Sequence, residues 1–83
     1  MVKIHELKTW QKYFVDIFCG LKNFELRKND RDFKVGDEVL LKEYDAFKRE
    51  YTGRILHRRI DYILHGGQFG LEEGYVILAL SKL

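Results

Sequence analysis

The sequence holds one cysteine, Cys19, so it closes no internal disulfide and builds no cysteine-rich metal framework. That scarcity fits a reducing, cytoplasmic setting. No apolar run approaches the roughly eighteen residues a membrane helix needs. The opening Met1-Val2-Lys3-Ile4-His5-Glu6 carries no signal-peptide stretch, and the expectation is a cytoplasmic protein with no membrane segment. Charge of one sign is also scarce: fifteen Lys and Arg against thirteen Asp and Glu leave +2, too little to establish nucleic-acid binding on its own. His5, His57 and His65 are scattered, without the His-x-x-x-His spacing and carboxylate of a metal centre, so no metal or cofactor is expected. The glycine-rich run from His65 to Gly74 lacks the Gly-Lys-Ser/Thr of a phosphate loop. It also precedes a strand rather than a helix, which excludes a dinucleotide fingerprint. Repeats, linkers and low-complexity tracts are missing as well.

What remains is a foldable chain, 46% apolar and 34% charged over 83 residues, expected to form a single domain over 1–83. At that size folding buries only roughly 60% of the unfolded surface, so stability should be marginal. The organising stretch runs from Gly20 to Asp30. Gly20 stops a helix, and a strand follows in which Phe24 and Leu26 share one face while Glu25, Arg27 and Asn29 share the other. The apolar pair is expected to face the core and the polar set a ligand, with Lys22 entering from the turn. Bases crowd into residues 22–34 and 54–59, and much of the acid lies in residues 37–45 and at Glu72-Glu73. A folded molecule can therefore present a basic face if the two basic segments adjoin.

In chain order, Val2 to Lys8 alternates as a first strand. There His5 is expected to satisfy a local hydrogen bond, and Lys8 projects either into solvent or into a groove. Thr9 is placed to cap a helix whose Trp10, Tyr13, Phe14, Ile17 and Phe18 form an apolar stripe at helical spacing. The stripe reads as core, with Trp10 at its exposed start able to stack on a base. Cys19, at the C-terminal end of the helix where a thiolate is disfavoured, reads as a half-buried filler. Phe33 re-enters the core, and Val35-Gly36-Asp37 turns into a strand from Glu38 to Tyr44. Tyr44 and Tyr51 then flank a hairpin with Phe47 near its tip. Thr52 to Leu64 is the longest strand, with Leu56, Ile60, Tyr62 and Leu64 on one parity. Arg58 falls on that apolar parity, so either a bulge re-aims it or its guanidinium reaches a cleft. The glycines of 65–74 serve positive-φ positions. Tyr75 to Leu80, apolar on both faces, is expected to be a central strand.

The spacing Gly20, Lys22, Glu25, Arg27 resembles the Gly-x-Lys-x-x-Glu-x-Arg signature of ASCH domains, small members of the PUA-like superfamily. His5-Glu6-Leu7-Lys8, Val35-Gly36-Asp37, Tyr51-Thr52-Gly53-Arg54 and the glycine-rich run extend the resemblance over nearly the whole chain, toward the DUF3850 type found in bacteria and phages. The resemblance implies an α+β fold: a mostly antiparallel β-barrel of about five or six strands with one main helix near the N-terminus. It implies function only through relatives that include RNA binders and small hydrolases. It is also what lifts Lys8 above a solvated lysine. Related sequences often carry proline where this one has Gln11, which here weakens helix initiation slightly.

Three functions are compatible with these residues. In the first, a cleft between helix and signature strand binds RNA or a nucleotide-like ligand. Lys8, Lys22, Arg27, Lys28, Arg31 and Arg58 supply cations, and Glu25 or Asn29 reads base edges. In the second, a small hydrolase acts on a modified nucleoside or RNA with Glu25 as general base beside Lys22, although a threonine nucleophile stands at the Glu25 position in one amidohydrolase group. The simpler reading of Glu25 is an ion pair with Lys22 or Arg27 that orders the site. The third is a protein-interaction domain, which an exposed apolar patch would favour. The first is the working expectation, with no chemistry asserted.

Overall fold

The computed structural model describes residues 2–83, so Met1 lies outside it. Five strands and one helix follow in the order β1 (Ile4–Trp10), α1 (Gln11–Phe18), β2 (Phe24–Lys28), β3 (Glu38–Asp45), β4 (Glu50–His65) and β5 (Tyr75–Ser81). The strands make one curled sheet in the order β1-β3-β4-β5-β2, a half-barrel with β1 and β2 at its two edges. Three pairings are antiparallel, but β1 runs parallel to β3. The expected antiparallel barrel is therefore a mixed sheet. A parallel pair needs a crossover, and α1 with β2 supplies it.

Alternation along the sheet sorts the residues. His5, Leu7 and Thr9 of β1, Val39, Leu41 and Glu43 of β3, and Val76, Leu78 and Leu80 of β5 point inward and are buried with Phe14, Ile17, Phe33 and Ile60. The first strand thus starts and ends two residues later than its Val2, Ile4 alternation implied. Thr9, expected as the helix cap, is a buried strand residue whose Oγ1 donates to the Leu7 carbonyl; Trp10 occupies the cap with no side-chain bond. Only Phe14 and Ile17 of the helical stripe are buried, because an eight-residue helix lying on β1 and β3 covers a narrow strip. Cys19, expected half-buried, is exposed. Gly20 ends the helix as expected, at φ 78°, with its N–H donating to the Ile17 carbonyl.

The signature strand is inverted relative to expectation. Glu25 is buried at 5% exposure, whereas Phe24 and Leu26 stand 43% and 55% exposed on the outer face. The interior beside β2 is already filled by Val76, Leu78 and Leu80, and Glu25 brings its own cations with it. A second shift falls on β4. The register slips between Ile60 and Tyr62, so Ile60 and Ile63 point inward and Tyr62 and Leu64 outward. The hairpin at Phe47 and the T-shaped Tyr44–Tyr51 pair beneath it, with centroids 5.1 Å apart, match expectation, as does the central place of β5. In the glycine-rich run Gly67, Gly70 and Gly74 take positive φ, but Gly66 is needed for another reason. A Cβ there would meet the Glu72 carbonyl oxygen at 1.9 Å.

Candidate ligand cleft at the open seam

The sheet never closes, and its two free edges face one another. Side chains bridge the seam: Arg27 Nη2 of β2 donates to the Lys8 carbonyl of β1 at 2.5 Å, and Arg31 Nη1 donates to the Glu6 carbonyl at 2.7 Å. Glu6 and Lys8 lie two apart, so both carbonyls leave β1 on its unpaired edge. An edge left bare in this way would recruit foreign strands, and two guanidinium groups now occupy it.

Along this seam lies a cleft of about 570 Å³, lined by Lys8, Thr9 and Trp10 of β1, Tyr13 of α1, Lys22, and Phe24 to Arg27 of β2. Its floor is a triad. Glu25 Oε1 accepts from Lys22 Nζ at 2.8 Å, and Oε2 accepts from Arg27 Nε at 3.1 Å. A carboxylate this buried persists only with such partners. Lys22 also donates to the Phe24 carbonyl at 2.7 Å and stands 4.8 Å and 5.5 Å from the Phe24 and Tyr13 ring centroids. Two of its three donors hold the floor together. Arg27 still has Nη1 open, and the Lys8 ammonium, 4.4 Å from the Tyr44 ring, has no carboxylate partner among the described residues.

Of the residues singled out from sequence, Lys8, Lys22, Glu25 and Arg27 converge here. The others do not line the cleft. Lys28 shares the outer face with Phe24 and Leu26, Asn29 accepts from the Phe33 N–H inside its turn, and Arg31 bridges the seam beyond the cleft. Arg58 borders a separate, smaller hollow with Ile17, Asn23 and Lys82, its Nη1 donating to the His57 carbonyl at 2.9 Å, and the bulge sits further along, at Asp61. Lys22 borders both cavities, and in the smaller one it adjoins Arg58 of the second basic segment.

Sequence reasoning missed two buried polar clusters. Glu43, 1% exposed, takes a bidentate pair from Arg54 at 2.9 and 2.8 Å and a bond from the Thr52 hydroxyl, with the guanidinium over the Phe14 and Phe18 rings. Its parity with Val39 and Leu41 was the available signal. Arg54 holds the Glu43 carboxyl below its ordinary range against the opposing effect of burial, with Thr52 adding to it, and Glu43 in turn raises Arg54. At the other end of β1, His5 Nε2 lies 2.9 Å from Asp37 Oδ2 and packs edge-on against Phe33. Burial works against the Asp37 carboxylate, but His5 and the backbone N–H groups of Lys3 and Lys34 outweigh it and keep the carboxyl low. His5 was thus rightly read as satisfied, though by a residue distant in sequence.

Residues 4–80 match the family model described as a domain of unknown function, DUF3850. The chain belongs to the DUF3850 family. It is also 42% identical over 60 residues to the "Uncharacterized 12.9 kDa protein in GpA 3'region" of Escherichia phage P2. That alignment takes in 72% of this chain and 53% of the phage protein, so the match spans about half the length of the curated relative. Most of the DUF3850 match is the sheet itself, from Ile4 of β1 to Leu80 of β5, and it includes every cleft residue. Among the described residues no helix is long and apolar enough to cross a membrane, and no group of three potential metal ligands converges.

Proposed function

We propose that this DUF3850 chain binds RNA or a nucleotide-like ligand in the seam cleft and that its sheet is a PUA-like fold of ASCH type. The observation that carries the reading is the pairing, in one ligand-sized hollow, of aromatic walls with a cationic floor. Trp10 and Tyr13 offer ring faces to a base, while Lys8 and the open Nη1 of Arg27 offer donors to a phosphate. The volume lies within the range of small-molecule sites. Glu25 is a positioning residue: both of its oxygens hold cations in place, which supports a binding site over a general base. That Lys22, Glu25 and Arg27 of the signature fall on the cleft, with Gly20 ending the helix just ahead of them, supports the ASCH assignment.

Trp10 is the sole tryptophan and stands in the cleft wall, so its fluorescence is a direct reporter. Titration at low salt with nucleoside monophosphates and with short single-stranded RNA should quench it. Lys8→Glu and Arg27→Gln should each abolish the response. Two phosphate contacts predict a roughly sevenfold loss of RNA affinity between 50 and 200 mM salt. Absence of quenching by either ligand class would remove the reading. Turnover of acylated nucleosides, lost in Glu25→Gln, would replace it with hydrolysis.

A further inference from the structure

The outer face of the sheet is divided. Over β1, β3 and the first half of β4 ion pairs, Lys42 to Glu6 at 3.2 Å and His57 to Glu38 at 2.6 Å, break up the exposed apolar residues Ile4 and Ile55. Over β2, β5 and the last part of β4 it is apolar. Register places Phe24, Ala79 and Tyr62 in one row and Leu26, Ile77 and Leu64 in the next, with no charge in either. A sheet face open to water normally alternates to polar residues, and a contiguous apolar patch is a contact surface.

We propose that this face is the interface of a two-fold dimer of the chain itself, with the axis lying between the copies and along β5. Both β2 and β4 are antiparallel to β5, so they flank it running in the same direction. Rotation about β5 therefore lays β2 of one copy over β4 of the other with strands aligned, as in face-to-face sheet packing. Phe24 then covers Tyr62 of the second copy, Leu26 covers its Leu64, and the small Ala79 lets the central strands approach.

Charge selects this occupant over an arbitrary apolar partner. Lys28 closes the patch on the β2 side, in register with Tyr75, and has no ion pair among the described residues. Glu73 lies beside Gly67, just past the end of β4, and is equally unpaired. The same rotation brings Lys28 of each copy to Glu73 of the other, making two rim pairs from one surface. A net charge of +2 opposes association only weakly.

Sedimentation equilibrium from about 1 to about 500 µM tests this, a span that covers weak to moderate self-association. The wild-type mass should rise from 10.0 kDa toward twice that value. Tyr62→Arg, on the exposed surface and outside the cleft, should hold the protein monomeric throughout while leaving its circular dichroism unchanged and, at about 1 µM where the wild type is also monomeric, its melting curve. Ala79→Asp should act in the same direction. Lys28→Glu should weaken the dimer roughly tenfold, as expected for reversing rim charges, and Glu73→Lys on the same chain should restore it. A wild type that stays at 10.0 kDa, a dimer indifferent to Tyr62→Arg, or a charge swap that fails to restore association each overturns the proposal.

Discussion

Glu25 and Glu43 are two buried carboxylates on the inner face of one sheet, each held by an arginine, yet they have opposite neighbourhoods. Glu43 is sealed: Arg54 grips both its oxygens, Thr52 adds a third bond, and the Phe14 and Phe18 rings lie under the guanidinium. Glu25 sits at the open seam, where its two cations are shared with backbone carbonyls of β1 and of β2's own start and where one guanidinium nitrogen stays free. A saturated ion pair is a structural clamp. An ion pair with spare donors beside an open hollow is a recognition surface.

The sharpest way to break this contrast is Glu43→Ala, which removes the sealed carboxylate and leaves Arg54 without its partner. The melting temperature should fall by on the order of 10 °C, read by calorimetry, with the fluorescence response to nucleotide retained at permissive temperature. Glu25→Ala should cost less than half that shift yet lose the nucleotide response, because Lys22 and Arg27 keep the Phe24 and Lys8 carbonyls as acceptors, whereas the Arg54 guanidinium bonds to Glu43 alone. If the two variants exchange phenotypes, the distinction is wrong.

Acid titration separates the clamps from the cleft. Asp37 and Glu43 are held below their ordinary values of 3.8 and 4.5, so the folded state binds protons less readily than the unfolded one. Their contribution to stability is complete above those ordinary values and disappears as pH falls through the lower folded ones. The wild-type melting temperature should therefore be flat from about pH 7 to about pH 5 and drop below about pH 4. Glu43→Gln should start lower and show a shallower drop. The smallest effect is expected at the Phe47 tip, 96% exposed: Phe47→Ser should stay within about 0.5 kcal/mol in urea unfolding and leave binding untouched.

Much of this architecture was legible from residue types. Gly20 requires a positive φ wherever it ends a helix, Tyr44 and Tyr51 mark a hairpin by flanking a polar loop, and β5 shows its central place by being apolar at every position from Tyr75 to Leu80. The convergence of Lys22, Glu25 and Arg27 followed from strand alternation, with Lys8 brought in by the fold. The direction of that alternation did not follow. Phe24 and Leu26 look like core residues, and only the filling of the interior by Val76, Leu78 and Leu80 of the neighbouring strand turns them outward. Periodicity gives which residues share a face but not which face is inside. Tyr62 and Leu64 were misplaced by a one-residue slip at Asp61, which alternation counted through a strand cannot register. The Arg54 to Glu43 clamp joins the two arms of a hairpin, and Glu43 was hidden because charge at an inward position looks like a break in pattern.

Most sheet proteins fix their girth by backbone ladders, whose spacing no mutation can alter. Here the final gap is spanned by the guanidinium arms of Arg27 and Arg31, so the circumference depends on side-chain reach. Shortening one arm by a lysine would draw the lips of the hollow to a different width, making aperture, and with it the size of guest admitted, a property that single substitutions can tune.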